Sequence, residues 1–321
     1  MKRFRKFRTS PAVRDKHAET ALEKKNLIQP YFVTQGSFKK EAIGGFEGVF
    51  RYTPDILAKE INGISRSGIN TILLFGVIDE GLKTAGGSYA WSDDGPVPQA
   101  IRLIKKNNPG IIIIADICLC AYTKSGHCGI IKGKEVANDA TLPLLAKAAV
   151  SYARAGADVV APSAMMDGQV AAIKTGLAGN GLKKTKILAY SAKYSSNFYG
   201  PFRSAAKSAP SFGDRKTYQM DYRNIEQALG EIKADIEEGA DMIMVKPAHT
   251  YLDVIRAASD RFRSIPIAAY HVSGEYAMIK AGAKAGLFDE KKAALEVLTA
   301  IKRAGAGNII TYYAKETAKW I

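Results

Sequence analysis

Eight short runs of β-branched and other apolar residues, each followed by a stretch with helical spacing, constrain this chain more than any other feature. The runs are Leu27–Val33, Thr71–Val77, Ile111–Leu119, Asp158–Ser163, Ile187–Tyr194, Asp241–Pro247, Ile265–Val272 and Asn308–Ala314. They are almost continuously apolar, as strands are when both faces are covered. Strands of that kind run parallel and need crossovers, usually helices. The intervening segments supply helices with readable ends. Thr53-Pro54-Asp55 offers an N-cap and a first-turn proline before Ile56–Ser67, with Gly68 beyond it. Asn138–Arg154 stops at Gly156, Asn224–Glu238 at Gly239 and Asp289–Arg303 at Gly305. Eight strand–helix units in series close most simply into a (β/α)₈ TIM barrel spanning residues 27–321. An open doubly wound sheet is the alternative. No G-x-G-x-x-G follows the first strand, which weakens its dinucleotide-binding form.

Residues 1–26 form an N-terminal arm ahead of the barrel, with a helix expected around Arg14–Lys25. The arm has no core of its own, so it either packs on a neighbouring subunit or stays solvated. It opens Met1-Lys-Arg-Phe-Arg-Lys-Phe-Arg8, like the start of a signal peptide, but no apolar h-region follows. The longest apolar runs are far too short to cross a bilayer. The expectation is a cytoplasmic protein without a membrane partner. The formal charge of +15 raises nucleic-acid binding, but the cations are spread along the chain and not gathered with aromatics in one block. Acidic small-molecule substrates fit that distribution better.

In a barrel the chemistry comes from the C-terminal ends of the strands. Here those ends hold Asp116 and Cys118 on strand 3, Ser163 on strand 4, Lys193 on strand 5 and Lys246 on strand 6. Strand 7 runs into Ser273, and Tyr312 belongs to strand 8. A lysine inside Met242-Ile-Met-Val-Lys246 is expensive to bury unless paired or deprotonated. Neighbouring strands lie about 4.8 Å apart, so Lys193 and Lys246 can approach one another. Like charge and desolvation both depress an amine pKa, and a neutral amine attacks carbonyls. Anion binding, or pairing with Asp116, is the alternative role for either lysine.

All three cysteines, Cys118, Cys120 and Cys128, fall in one stretch. An odd, clustered set does not suit a disulfide framework and does suit a metal. Three thiolates favour Zn²⁺ and leave one coordination position open. His127 reads as a supporting donor more readily than as a ligand. Buried structural cysteines are the alternative. The long connection between strands 5 and 6, with Phe198-Tyr-Gly-Pro-Phe-Arg203 and Gly213-Asp-Arg215-Lys-Thr-Tyr-Gln219, has the length of a lid. Arg203 and Arg215 are candidate carboxylate clamps, or else solvated surface arginines.

Together these residues resemble the delta-aminolevulinic acid dehydratase (porphobilinogen synthase) family over nearly the whole chain. The most specific pieces are Asp116-Ile-Cys-Leu-Cys120 with Gly126-His-Cys-Gly129, Ala161-Pro-Ser-Ala-Met-Met-Asp-Gly168, Phe198-Tyr-Gly-Pro-Phe-Arg203, Met244-Val-Lys-Pro247 and Val272-Ser-Gly-Glu-Tyr-Ala-Met278. The resemblance implies a hydro-lyase that condenses two 5-aminolevulinate molecules into porphobilinogen with loss of two waters. It implies Schiff bases on Lys246 (the propionate-side substrate) and Lys193 (the acetate-side substrate), with Asp116 and Ser163 beside them. Arg203, Arg215 and Gln219 would hold one carboxylate; Ser273 and Tyr312 would hold the other. Cys118, Cys120 and Cys128 match the zinc-type loop, although Ala121 and Lys124 stand where that loop often has Glu and His. Glu231 matches a position that binds an allosteric Mg²⁺ in many bacterial members. The family usually assembles as a homo-octamer whose arms embrace partner subunits.

Overall fold

The computed structural model describes residues 1–321. Its eight main strands are β1 Leu27–Thr34, β2 Thr71–Val77, β3 Ile112–Ile117, β4 Val159–Pro162, β5 Lys186–Lys193, β6 Met242–Lys246, β7 Ile267–His271 and β8 Asn308–Thr311. Each pairs in parallel with the next, and β8 returns to pair with β1, Leu27 opposite Ile309. All eight lie where the apolar runs place them, and closure removes every free edge of the main sheet. The open-sheet alternative is thereby excluded.

Helices clothe the barrel: α1 Pro54–Arg66, α2 Pro96–Asn107, α3 Asn138–Ala155, α4 Gln169–Gly179, α5 Ile225–Glu237, α6 Leu252–Arg261, α7 Ser273–Lys284, α8 Glu290–Ala304 and α9 Ala314–Trp320. Most bury one stripe, while the C-terminal half of α3 is buried all round, Ala148–Ala153. On α1 that stripe is Leu57, Ala58, Ile61 and Ile64, the three- and four-residue spacing of one helical face. Asn224 and Asp289 cap α5 and α8 by accepting from Gln227 N–H and Lys292 N–H. Thr53 does not cap α1 in this way. Its hydroxyl is spent on Asp55 (2.6 Å) and on the backbone of Lys39, on a neighbouring loop.

The barrel interior grades from inert to reactive along its axis. Near the strand starts it is lined by residues such as Ile28, Ile114, Val159 and Leu188, around a cavity of about 440 Å³. Near the strand ends the same inward rows arrive at Asp116, Ser163, Lys193 and Lys246. That lower cavity lies at the end opposite these four groups.

The arm differs from the sequence expectation. Helix forms over Pro11–Lys16, with a short 3₁₀ turn at Lys24–Asn26, and not over Arg14–Lys25. Ser10 accepts from Val13 N–H and Pro11 occupies the first turn, so the helix starts early. No side chain of residues 1–25 is buried, and an unpacked helix is marginal in water. The arm is fastened at its end only, where Lys302 donates to the Ala21 carbonyl and to Asn26 Oδ1, and Asn26 donates to the Gly307 carbonyl.

Gly305, which ends α8, has φ of +129°, and a Cβ there would collide with Ser259. Gly305→Ala is expected to lower stability by about 1–3 kcal/mol, read as a drop in the urea midpoint with an unchanged slope.

Candidate active site

Lys193 and Lys246 are direct partners across the β5–β6 pairing, and a one-residue register shift makes them so. Two residue steps on β6 (Ile243 to Val245) are matched by three on β5 (Ala189 to Ala192), which is a bulge. Leu188 and Tyr190 point inward on β5. Strict alternation would then turn Lys193 outward, and the extra residue restores it to the interior beside Lys246. The Lys193 Nζ donates to the Ser163 main-chain carbonyl (2.5 Å). Ser163 is thus brought to the lysine, through its backbone oxygen.

Lys246 makes no ion pair. Its Nζ lies 4.2 Å from the Tyr270 ring centroid and 5.0–5.3 Å from those of Phe202, Tyr190 and Tyr199. Burial, and then the neighbouring Lys193 charge, bring its pKa down to about 7. Asp116 belongs to the same cluster. Burial pushes its carboxyl up while both lysines pull it back, and its Oδ1 is shielded without a hydrogen-bond partner. The arrangement offers an amine that sheds its proton near pH 7, a second amine within reach and a carboxyl able to hold or release a proton.

The loop after β3 folds back so that the ligand atoms of Cys118, Cys120 and Cys128 lie within 4.8 Å of one another, all buried. They form no disulfide. Three convergent thiols with no competing oxygen ligand are a donor set that suits zinc. The His127 ring does not reach the sulfurs itself. Its Nε2–H donates to the Phe212 carbonyl (3.0 Å), and its Nδ1 pairs with the hydroxyl of Tyr218 (3.0 Å), which in turn lies beside Cys128. Gly126 has φ of +68°, and a Cβ there would strike the Ala209 carbonyl, so only glycine lets the two loops meet.

The β5–β6 connection covers this end of the barrel. The covering part, the lid, precedes α5; it contains a 3₁₀ turn at Asn197–Tyr199 and a short helix at Gly200–Ala205, and is fastened mainly through backbone carbonyls. Arg51 donates to Ser204 and Ala205 (2.8 and 2.7 Å), and buried Lys83 donates to Lys207 (2.7 Å). Arg215 donates to Gly126 and Ser208 (3.0 and 2.5 Å), and Ser211 N–H donates to Ser125 (2.8 Å). Burial opposes the Arg215 charge, and the nearby Cys128 and Cys120 sulfurs more than offset it. The Nε atoms of Arg203 and Arg215 and both amide atoms of Gln219 are shielded and unpartnered. These three side chains border a vestibule of about 780 Å³. They are donors gathered at one place, as a carboxylate site requires.

Ser273 and Tyr312 stand on the other side. Tyr312 shares a hydrogen bond with the Tyr270 hydroxyl (3.1 Å), next to Lys246. The Ser273 hydroxyl accepts from Phe202 N–H and donates to the Phe198 carbonyl, so it also steadies the lid. Glu231 lies apart from this cluster. On α5 it lines a polar pocket with Asp167, Gln227 and the lid residue Tyr218, and burial followed by the Asp167 charge raises its pKa. The three cysteines, not Glu231, form the chain's group of three or more candidate metal ligands. Sequence reasoning missed the rings around Lys246. Tyr190 and Tyr270 sit at inward positions of their strands, the one signal that could have found them.

Comparison with known proteins agrees with this geometry along the whole chain. The family model for delta-aminolevulinic acid dehydratase matches residues 1–320. The Bacillus subtilis delta-aminolevulinic acid dehydratase is 47% identical over 319 residues, covering 99% of this chain and 98% of the relative. That of Methanothermus sociabilis is 49% identical with the same coverage. The crystal structure of the Toxoplasma gondii enzyme in complex with the reaction product porphobilinogen superposes with a TM-score of 0.97. It is 43% identical and covers 100% of this chain and 92% of that one. With the paired lysines, the three-thiol loop and the lid in their expected places on a closed barrel, the chain belongs to the delta-aminolevulinic acid dehydratase family.

Proposed function

We propose that this chain condenses two 5-aminolevulinate molecules into porphobilinogen with loss of two waters, on the route to tetrapyrroles, through Schiff bases on Lys246 and Lys193. The observation that carries the reading is the in-register pairing of the two lysines, with Lys246 buried, free of ion pairs and close to neutral. The Lys246 amine adds to the ketone of one substrate and expels water as the imine forms. Tyr312 and Ser273 hold that molecule's carboxylate, and Asp116 takes and returns protons at the shielded end of β3. Lys193 holds the second substrate, with Arg203, Arg215 and Gln219 on its carboxylate. The vestibule beside the lid carries both signs of charge, but Lys216 and Arg223 are paired with Asp214 and Asp221, which leaves the guanidinium groups of Arg203 and Arg215 to meet an acidic ligand.

The chemistry of the donor set supports Cys118, Cys120 and Cys128 as zinc ligands. Bound there, zinc would supply Lewis acidity toward an oxygen of the second substrate. Exposed Lys124 and buried Ala121 contribute no ligand atoms to the set. Glu231 is the proposed magnesium position. One carboxylate is not a site by itself, so waters or a second copy of the chain would complete the coordination. The division into an arm (1–26) and a catalytic barrel (27–321) is part of the same reading. An unpacked arm carrying exposed Phe4 and Phe7 suits contact with partner subunits in a homo-octamer. No helix is long and apolar enough to cross a membrane, and the cytoplasm is the proposed location. No nucleic-acid partner is proposed.

Incubation with 5-aminolevulinate should yield a pyrrole detectable by colour reaction. A chelator should suppress it, and Cys120→Ala should lose both bound zinc and most activity. Full activity in metal-free protein would sink the zinc assignment. Lys246→Ala should lower kcat by about 10⁴-fold or more, as loss of a covalent nucleophile does; near-normal turnover would end the Schiff-base reading. Because the neutral amine is the reacting form, kcat/KM should fall as pH drops through about 7, the Lys246 value. A profile flat down to pH 5 would contradict an amine of that kind.

A further inference from the structure

The loops after β6 and β7 are joined by a carboxylate that handles no substrate. Glu275 is fully buried. Its Oε1 accepts from the N–H groups of His249 (2.7 Å) and Thr250 (3.4 Å), which follow Lys246-Pro-Ala on the β6 loop. Its Oε2 accepts from Val272 N–H (2.8 Å), immediately before Ser273. A glutamate at this position of a helix ordinarily caps its own first turn and remains at the surface. Here one oxygen does that work while the other crosses to a neighbouring loop, and main-chain dipoles are its hydrogen-bond partners. Burial pushes its carboxyl up to about 7, even though the main-chain N–H groups of Val272, His249 and Thr250 pull it down.

We propose that Glu275 is a positioning residue for the Lys246–Ser273 subsite, fixing the direction in which the Lys246 amine and the Ser273 hydroxyl face one substrate molecule. This rests on the reading above, in which both groups address the same substrate. Lys193 has an anchor of its own in the Ser163 carbonyl, and of the lid donors assigned to its substrate Arg215 is held through Gly126 and Ser208, away from the Ser273 contacts at Phe198 and Phe202. Loss of Glu275 should therefore damage the Lys246 subsite far more than the other.

The test is borohydride trapping with 5-aminolevulinate on the full-length holoenzyme, followed by peptide mass mapping of the Lys246 and Lys193 adducts separately. In Glu275→Gln the side-chain NH₂ must face a backbone N–H, donor against donor. Adduct formation at Lys246 should slow on the order of 100-fold, the effect of roughly an ångström of misplacement, while the Lys193 adduct rate falls far less. Equal loss at both lysines would reduce Glu275 to a structural cap and overturn the proposal, as would no loss at either. If Glu275→Gln does not fold, Glu275→Asp serves. It keeps the charge and the Val272 contact but is too short to reach His249, so it should show the same selective loss, and full retention of the Lys246 adduct would overturn the proposal. The absence of any adduct on the parent enzyme would instead overturn the Schiff-base reading itself.

Discussion

Holding an amine away from water and away from any ion pair is the constraint around which the catalytic end of this barrel is built. Bringing the Lys246 pKa from 10.5 to about 7 corresponds to on the order of 5 kcal/mol against the ammonium form. The aromatic faces around it favour a cation, but by only about 0.5–2 kcal/mol. The rings therefore moderate the desolvation without reversing it. They also provide the apolar surface that keeps water out, so one group of side chains both creates the low pKa and limits it.

Two further features serve that constraint. The β5 bulge turns Lys193 into the interior, where its charge adds to the depression at Lys246. The lid closes over the same end and brings buried, unpartnered donors with it. Burying guanidinium and amide groups without partners is unfavourable unless an anion meets them. In the proposed function, the lid and Lys193 make complementary demands on one substrate: a carbonyl for the amine and a carboxylate for the donors.

Much of this was legible from residue order. Near-continuous apolar runs locate all eight strands, since parallel strands covered on both faces cannot alternate. The lysines and cysteines were visible because their residue types are out of place at strand ends. What stayed hidden was geometry that no local pattern encodes. Period-two counting from Leu188 and Tyr190 sends Lys193 the wrong way, and nothing local announces the bulge that corrects it. His127 adjoins Cys128 in sequence, yet its ring acts at one remove from the thiols, through Phe212 and Tyr218, more than eighty residues further along. The arm helix was misplaced for a simpler reason: the Ser10-Pro11 start signal was overlooked in favour of the longer run behind it.

The way the lid is fastened has a consequence for how this enzyme can change. Arg51, Lys83, Arg215 and His127 all grip main-chain oxygens of the covering segment or of the loop that it meets. Every residue type carries such an oxygen, so the grip does not depend on which side chains occupy most gripped positions. Substitutions at exposed Ser204 or Lys207 can accumulate without unfastening the cover, and the segment is free to drift toward new selectivity while its anchorage stays put.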